Sequence, residues 1–299
     1  MGKERIEAVV QCGRLFSGQE LEEIRETVAL FPALARRELV ATVCEQLGWY
    51  TAAGGLKKEA CEKLLMKLQA CGHLTLPKKR GHGGKPKKIR LTARSAAQPP
   101  IRCSLSQLSP LELRPVEGAE RSRVNEYLAR YHPLGYRQPF GYRMRYLIES
   151  KAGPLGCFLL AGAAKALGRR DRWIGWTEAQ RLQRLAWVVG LSRHLIFPWV
   201  EVPNLSSHAL ALLCGRIRED WQRRWGYEPL LLETFVDPHY EGSSYKAAGW
   251  NRLGMTTGEG LVRPGCQYTT SRKWIFVKPL LAEARSLLCS EVPPAGAIR

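Results

Sequence analysis

Acidic residues are scarce in this chain. Its 299 residues include 27 Asp and Glu against 46 Lys and Arg, which leaves a formal net charge of +19. Positive charges in such excess repel one another unless a polyanion is bound, so nucleic acid is the expected partner. An anionic membrane is the competing partner, but the sequence contains no basic amphipathic anchor. The shortage of acidic residues therefore points first to a protein that binds DNA.

Long apolar runs and paired cysteines are also absent. No stretch reaches about 18 apolar residues, so no membrane-spanning helix is predicted. The first residues, MGKERIEAVV, lack the apolar core of a signal peptide. The nine cysteines form no CxxC pair, which disfavours a zinc ribbon, and their odd number is typical of reduced thiols. We therefore expect a cytoplasmic protein with no membrane partner.

Residues 1–94 carry the pattern of a winged-helix DNA-binding domain. Helical periodicity predicts helices at about 18–30, 35–47 and 57–70, and the short strands 73–77 and 89–92 flank a basic, glycine-rich loop. The third helix would enter the major groove and the loop would be the wing. A solvated linker with a run of charge is the alternative. The predicted DNA-binding residues of the helix and the wing are Lys57, Lys58, Lys63, Lys67, Lys78, Lys79, Arg80, Lys85, Lys87 and Lys88.

Residues 95–115 are rich in Pro and Ser and are predicted to be a linker. In residues 116–299 strands alternate with helices, including a long amphipathic helix at about 207–225 and a buried strand at 230–236. We therefore predict an α+β protein of two domains. The first is winged-helix-like, and the second is an α/β domain with a central mixed sheet.

The order of elements in the second domain resembles the GNAT-type N-acetyltransferases. In that fold the last short helix often carries a Tyr followed by a Gly-aromatic pair, and this chain has Tyr245 followed by Gly249-Trp250. The family's acetyl-CoA pyrophosphate loop has glycines before the long helix, which let backbone amides approach the phosphates. Residues 202–208 (VPNLSSH) contain none. Acetyl-CoA is therefore predicted to be an unlikely cofactor.

Five segments carry a closer resemblance. They are YLARYHPLGY (127–136), RDRWIGW (170–176), FPWVEVPNLSSHALA (197–211), LLETFVDP (231–238) and GSSYKAAGWNRLGMTTG (242–258). Their order is similar to that of the DruA-like family, named after a component of the Druantia anti-phage system and also found under transposase-like labels in mobile elements. The resemblance implies DNA as the partner and anti-phage defence or element mobility as the setting. It implies no catalytic assignment.

Two carboxylates stand out for chemistry. Glu233 and Asp237 are four residues apart around a buried strand, so in extended chain they share a face. With Asp171 as a third ligand they would hold magnesium or manganese, which activates water for phosphodiester cleavage. The alternative is a buried Glu233 paired with an arginine and an Asp237 that caps a turn before Pro238.

Other polar residues are candidates for catalysis or binding. His132 would act as a general base, although a histidine near a turn more often bonds a backbone carbonyl. Tyr245 would act as an acid or a nucleophile, or it is a core ring with a satisfied hydroxyl. Capping explains one member of a polar cluster at the start of the long helix, and DNA contact is the hypothesis for the set. The cluster comprises Asn204, Ser206, Ser207 and His208.

Three functions follow from these residues. The leading hypothesis is an enzyme for metal-dependent DNA strand processing, a nuclease or transposase-like protein. The second is a GNAT-like transferase that modifies DNA or an amine. The third is a non-catalytic DNA-recognition subunit of a defence complex. Besides DNA, the partners left open are a separate helicase or nuclease and a second copy of the chain.

Overall fold

The computed structural model describes residues 8–50, 56–77, 89–139, 141–258 and 270–291. Contacts along the chain divide these residues into two compact bodies. The first body contains the described residues up to 77 together with Gly141 and Tyr142. The second contains 89–139 and 143–291. Each body has a core of its own.

The first body is a hairpin followed by three helices. Ser17 begins the first helix with a capping box, in which Glu20 N–H donates to Ser17 Oγ and Glu20 Oε2 accepts from Ser17 N–H. Leucine, valine and isoleucine at helical spacing are buried between the helices. The three predicted helices are confirmed. The elements are β1 (Val9–Gln11), β2 (Arg14–Phe16), α1 (Gly18–Leu30), α2 (Arg36–Leu47) and α3 (Lys58–Ala70).

The two strands predicted to flank a wing are not formed. Residues 73–77 are irregular, and the Leu76 amide donates to Gln69 Oε1 of α3 at 2.8 Å, which ties this segment back to its helix. Residues 89–92 are also irregular and lead into a 3-10 turn over Ala93–Ser95. Glu126 fixes that turn, since its Oε2 accepts from the Thr92 amide and hydroxyl at 2.8 Å. The loop between the two segments lies outside the described residues.

The second body is built on a seven-stranded sheet in the order β10-β11-β9-β7-β6-β5-β4. β7 and β9 run parallel, and the other neighbouring pairs are antiparallel, so the mixed central sheet is confirmed. β4 lies within the predicted linker. The elements are β3 (Ile101–Arg102), β4 (Glu112–Pro115), α4 (Glu120–Tyr131), β5 (Met144–Ser150), β6 (Gly153–Gly162), α5 (Gly168–Ile174), α6 (Glu178–Arg184), β7 (Val188–Ile196), β8 (Val200–Glu201), α7 (Leu205–Trp225), β9 (Leu231–Val236), α8 (Ser243–Ala247), β10 (Asn251–Met255), β11 (Trp274–Pro279) and α9 (Ala284–Cys289).

Burial on both faces of the sheet explains its apolar strands. Residues 155–161 of β6 are all buried, because helices cover both sides. α7 buries one stripe that includes Leu210, Leu213, Ile217 and Trp221, and each large side chain contributes about 1.5–3 kcal/mol. Within the described residues, no helix combines the length and apolarity needed to span a bilayer. The core of the second body therefore fixes the positions of β7, β9 and α7.

Candidate functional site

A gap opens in the sheet between its two parallel strands. β7 pairs with β9 only over 188–190, opposite 231–233. β7 continues to Ile196 and β9 to Val236, but the ladder of backbone hydrogen bonds ends at these pairs. Just past it, the Thr234 hydroxyl of β9 donates to the Leu191 carbonyl of β7 at 2.9 Å. A register shift against β6 inserts Ser192 as an extra residue of β7, and such bulges bend a strand. The sheet thus separates at its centre, at the carboxyl ends of its two parallel strands.

The gap holds a cavity of about 610 Å³. Residues of β7 and β9 form its walls, the first turn of α7 contributes Ser206, and α8 contributes Ser243, Ser244 and Tyr245. Two of these side chains, Ser206 and Tyr245, meet His194 of β7. A volume of this size fits a small-molecule ligand or cofactor. The cavity is therefore the candidate functional site.

Both ring nitrogens of His194 are engaged. Nδ1 lies 3.2 Å from the Tyr245 hydroxyl, and Nε2 lies 3.2 Å from the Ser206 hydroxyl. Phe158 contacts the imidazole edge-on with ring centroids 4.8 Å apart, which fixes the plane of the ring. The three polar side chains form a continuous hydrogen-bonded chain, hereafter the Ser206–His194–Tyr245 chain.

Burial keeps His194 and His132 neutral. It lowers the pKa of His194 to about 4, and the neighbouring His132 adds to the effect. Burial also lowers the pKa of His132 to about 4, helped by the charge of Arg193. The Leu134 amide donates to His132 Nδ1 at 3.1 Å, so the remaining ring proton of the neutral side chain is on Nε2. At neutral pH neither ring carries a positive charge.

Tyr245 keeps its phenolic proton. Burial raises the pKa of Tyr245 to about 12, although a hydrogen bond with Thr234 opposes the shift. The ring stacks on Phe276 at a centroid distance of 5.5 Å and meets Trp250 edge-on at 5.3 Å. When His194 carries its proton on Nδ1, it donates to the phenol oxygen, and the Tyr245 O–H can then donate either to Thr234 or to a ligand in the cavity. The chain can therefore present a proton donor to a ligand.

The polar cluster at the start of α7 divides into different roles. Asn204 has φ = 64°, and its carbonyl accepts from the His208 amide and the Ser207 hydroxyl, both at 3.0 Å. Ser206 alone of the four lines the cavity, while His208 is exposed. The amides of the first helical turn have no partner within a helix and favour anions. DNA contact by these four residues stays a prediction.

Asn204 offers a direct test of this turn. Replacing it with alanine is expected to lower the free energy of unfolding by about 1–2 kcal/mol, since a Cβ-bearing residue other than Asn or Asp is strained at positive φ. Asn204→Gly is expected to leave it nearly unchanged, because glycine adopts this conformation freely. Urea unfolding followed by circular dichroism measures both variants. Equal stabilities for the two variants would contradict the proposed strain.

The predicted metal site is wrong. Glu233 and Arg170 are both buried, and Glu233 Oε2 accepts from Arg170 Nη1 at 2.7 Å, while Oε1 accepts from the Ala164 amide at 2.7 Å. Asp171 is equally occupied, since its carboxylate accepts from the Arg170 guanidinium and from Trp176 Nε1. Burial alone would lower the pKa of Arg170, but Glu233 and Asp171 raise it above its ordinary value. The alternative of an arginine-paired Glu233 is the arrangement observed.

Asp237 lies apart from this pair, at the mouth of the cavity. It is 44% exposed, and its Oδ1 lies 2.6 Å from His239 Nδ1. The backbone N–H of His239 is the main cause that lowers the pKa of Asp237. Over the described ranges, no three His, Cys, Asp or Glu side chains are placed to hold a metal ion. Magnesium and manganese are therefore withdrawn as cofactors.

The predicted DNA-binding lysines are only partly visible. Lys63 and Lys67 lie exposed on α3, and Lys57 and Lys58 are half-buried at its start. The six basic residues of the predicted wing lie outside the described residues. The DNA interface of the first body stays a prediction.

His194 is the site residue that sequence reasoning missed. Its partners are 12 and 51 positions away in the chain, on α7 and α8. No local motif contains all three residues, and in sequence His194 is one polar residue in a strand. Its place in the resembled topology, on the strand before the long helix, is the signal that would have singled it out.

The element order that predicted a GNAT-like domain is present, with the long helix α7, the buried strand β9 and the short helix α8 that carries Tyr245. Solved structures with a similar fold include aminoglycoside acetyltransferase AAC(6')-Ib in complex with coenzyme A and kanamycin. It is 15% identical, covers 59% of this chain and 97% of its own, and has a TM-score of 0.39. This likeness concerns the fold alone.

Two further solved structures have similar sequence identities, coverages and TM-scores. The polyamine N-acetyltransferase of Drosophila melanogaster is 10% identical, with coverage of 56% of this chain and 99% of its own and a TM-score of 0.36. The ribosomal-protein-S18-alanine N-acetyltransferase of Escherichia coli is 10% identical, with coverage of 57% and 94% and a TM-score of 0.35. Among curated proteins no match was found.

These findings correct two predictions of function. Metal-dependent strand processing is wrong, because Glu233 and Asp171 are bonded to Arg170 and no three His, Cys, Asp or Glu side chains of the described residues are placed to hold a metal ion. The exclusion of acetyl-CoA is also wrong. It depended on missing glycines, whereas Asn204 supplies a left-handed residue at the turn. The family model of the Druantia protein DruA matches residues 67–273.

Proposed function

This chain belongs to the DruA family, whose model matches more than half of it, and from that premise we propose that its second body is a GNAT-like group transferase. It would move an acyl group from an acyl-CoA to an amino group of its acceptor. The observation that carries the proposal is the cavity between β7 and β9 with the Ser206–His194–Tyr245 chain in its wall. The site combines a recess, a neutral imidazole and a protonated phenol.

The residues around the gap fit an acyl-CoA. Past Leu191, whose carbonyl accepts from the Thr234 hydroxyl, the backbone of residues 192–196 has no strand partner on the side that faces β9, so it can bond an extended ligand. The first-turn amides of α7, at Ser206 and Ser207, would hold phosphate groups. Asn204 lets the chain turn into the helix in the left-handed conformation that glycine provides elsewhere.

An acyl-CoA supplies, when bound, an acyl group on a thioester, whose carbon–sulfur bond breaks as the acyl carbon bonds a nitrogen. Tyr245 holds a proton at its phenolic oxygen and is the general acid of the site, giving that proton to the leaving thiolate. The proton that the acceptor nitrogen loses then restores the phenol. His194 positions Tyr245 through its Nδ1, and Ser206 holds the imidazole by a hydrogen bond at its other nitrogen, Nε2. A ligand bound in the gap would displace water from these side chains, which strengthens each of these contacts.

Titration calorimetry with acetyl-CoA and CoA tests the donor site. The full chain is expected to bind both at one site. Filling the gap by Ser192→Trp is expected to abolish the heat, because Ser192 lines the cavity. Ser122→Trp, on an exposed position of α4, is the matched control and is expected to bind as the unmodified chain does. A folded chain that gives no heat with either ligand would disprove the proposed donor.

A further inference from the structure

A second cavity, of about 670 Å³, lies beside the first. It is bordered by the start of α5, by β9 and by the segments that extend β10 and β11. Four of its lining side chains are cationic, and none of its described lining residues is acidic. This concentration of one sign attracts anions. The cationic residues are Arg169, Arg172, Arg272 and Lys273.

Two of the arginines are held in place by the backbone. Arg169 Nε donates to the Met255 carbonyl at 2.9 Å, and Arg172 Nε donates to the Gly168 carbonyl at 3.2 Å. Within the described part of the chain neither guanidinium has another hydrogen bond or a carboxylate within 4.0 Å. Arg169 also lies against Gly254, where a Cβ would come within 2.9 Å of Nη1. The terminal nitrogens are thus available as forks, the geometry that binds phosphate oxygens.

The two cavities share a wall. Phe235 and Lys273 line both of them. The carboxylates of Asp237 and Glu241 line the first cavity. From that side the Asp237 carboxylate interacts electrostatically with the Lys273 ammonium. Phosphate groups are therefore favoured on the second cavity's side of this wall, and a neutral or amino-bearing group is favoured beside Asp237 and Glu241.

Exposed apolar side chains collect at the first cavity. Seven large ones are exposed among the described residues, and three of them line this cavity. These are Leu134, Phe235 and Tyr240, with exposures of 61%, 38% and 62%. Aromatic rings beside a cationic groove are the pattern that binds single-stranded nucleic acid, because unpaired bases stack on the rings while the phosphates follow the charges.

We infer that a single-stranded nucleic acid is the acceptor, with its phosphates on Arg169, Arg172 and Arg272 and a base stacked on Phe235. That this nucleic acid accepts an acyl group rests on the proposed function, whereas its binding at this cavity does not. A duplex offers its phosphates without a free base for Phe235. An exocyclic amino group of the stacked base would then lie at the cavity of the Ser206–His194–Tyr245 chain.

Fluorescence anisotropy with a labelled single-stranded DNA of about 20 nucleotides tests the inference in the full chain. Arg169→Gln/Arg172→Gln is expected to weaken binding by at least ~10-fold and to reduce the salt slope by about 1.4. The control Arg121→Gln/Arg223→Gln removes the same charge from two exposed arginines outside the cavity and is expected to change affinity less than about twofold. Equal losses in both double variants would overturn the proposed site.

A second comparison separates the stacking from the charge. Phe235→Ala is expected to weaken single-strand binding by roughly fivefold or more and to leave duplex binding unchanged. Thermal unfolding verifies that the variant is folded. Equal effects on single strand and duplex, or no effect on either, would overturn the inference.

The coenzyme is the other source of phosphate groups, and calorimetry distinguishes it. Arg169→Gln/Arg172→Gln is expected to bind acetyl-CoA as the unmodified chain does. Loss of acetyl-CoA binding with DNA binding retained would assign the cationic cavity to the coenzyme and overturn the inference. Absence of acetyl-CoA binding by the unmodified chain would instead disprove the proposed function and leave the DNA measurements independent.

Discussion

Replacing Arg170 with methionine is expected to lower the free energy of unfolding of the second body by about 3–5 kcal/mol. Arg170 has no exposed surface, and Glu233 is buried opposite it on β9. Without the guanidinium, the Glu233 carboxylate keeps only the Ala164 amide as a partner and must be protonated or hydrated inside the core. The loss is large because an uncompensated buried charge is left behind.

The double variant Arg170→Met/Glu233→Met is the matched control. Replacing both members of a buried pair with apolar residues of similar volume is often close to neutral, so most of the lost stability should return. Thermal unfolding followed by circular dichroism measures all three proteins, and the single variant is expected to unfold roughly 10 °C lower. A double variant as unstable as the single one would show that packing of Arg170, and not its charge, holds this region.

Replacing Tyr245 with phenylalanine is expected to slow acyl transfer by about 100-fold or more, because the variant lacks the general acid. Affinity for acetyl-CoA should change less than about twofold, since the ring and its packing on Phe276 are retained. Release of free thiol from acetyl-CoA in the presence of single-stranded DNA measures the rate, and calorimetry measures the affinity. Tyr131→Phe is the control, since it removes a hydroxyl that bonds the Ser95 carbonyl elsewhere in the same body.

The pH dependence gives the same test a second readout. Tyr245 stays protonated below a pKa of about 12, and His194 stays neutral above a pKa of about 4, so the rate should be flat with respect to these two groups near neutral pH. Acidification toward pH 4 protonates His194 and should lower the rate. In the unfolded chain histidine titrates near 6.5. The unfolded state therefore binds more protons between about pH 6.5 and pH 4, and the second body should lose stability as the pH falls through this window.

A Tyr245→Phe enzyme with full activity would exclude Tyr245 as the general acid.

Local pattern predicted the helices of the first body but not its strands. The amphipathic spacing of 18–30, 35–47 and 57–70 is periodic over several turns, and the helices lie where it placed them. The expected strands 73–77 and 89–92 were short and depended on pairing with each other. Gln69 and Glu126 bond these segments instead. Gln69 lies only seven residues before Leu76, but Glu126 lies 34 residues after Thr92, beyond the reach of a local pattern.

The candidate site was predictable only in its parts. Tyr245 and Ser206 were singled out from the resembled topology and from a polar cluster, and Glu233 was recognised as a buried carboxylate that needs a partner. The missing information was pairing in space. Arg170 satisfies Glu233 across 63 residues, and His194 joins two residues that sequence analysis had treated separately. A single sequence shows which residues are unusual but not which of them meet.

The short seam between β7 and β9 has a mechanical consequence. Three residue pairs join a half-sheet of four strands, β4 to β7, to a half-sheet of three, β9, β11 and β10. Elsewhere the strands of each half share longer ladders, so the seam is the weakest line of the sheet. A molecule in the gap contacts both halves and would replace the hydrogen bonds that are missing between β7 and β9. The free energy of binding then also stabilises the sheet against separation of its two halves. The protein with a bound ligand should therefore resist this separation better than the protein without one.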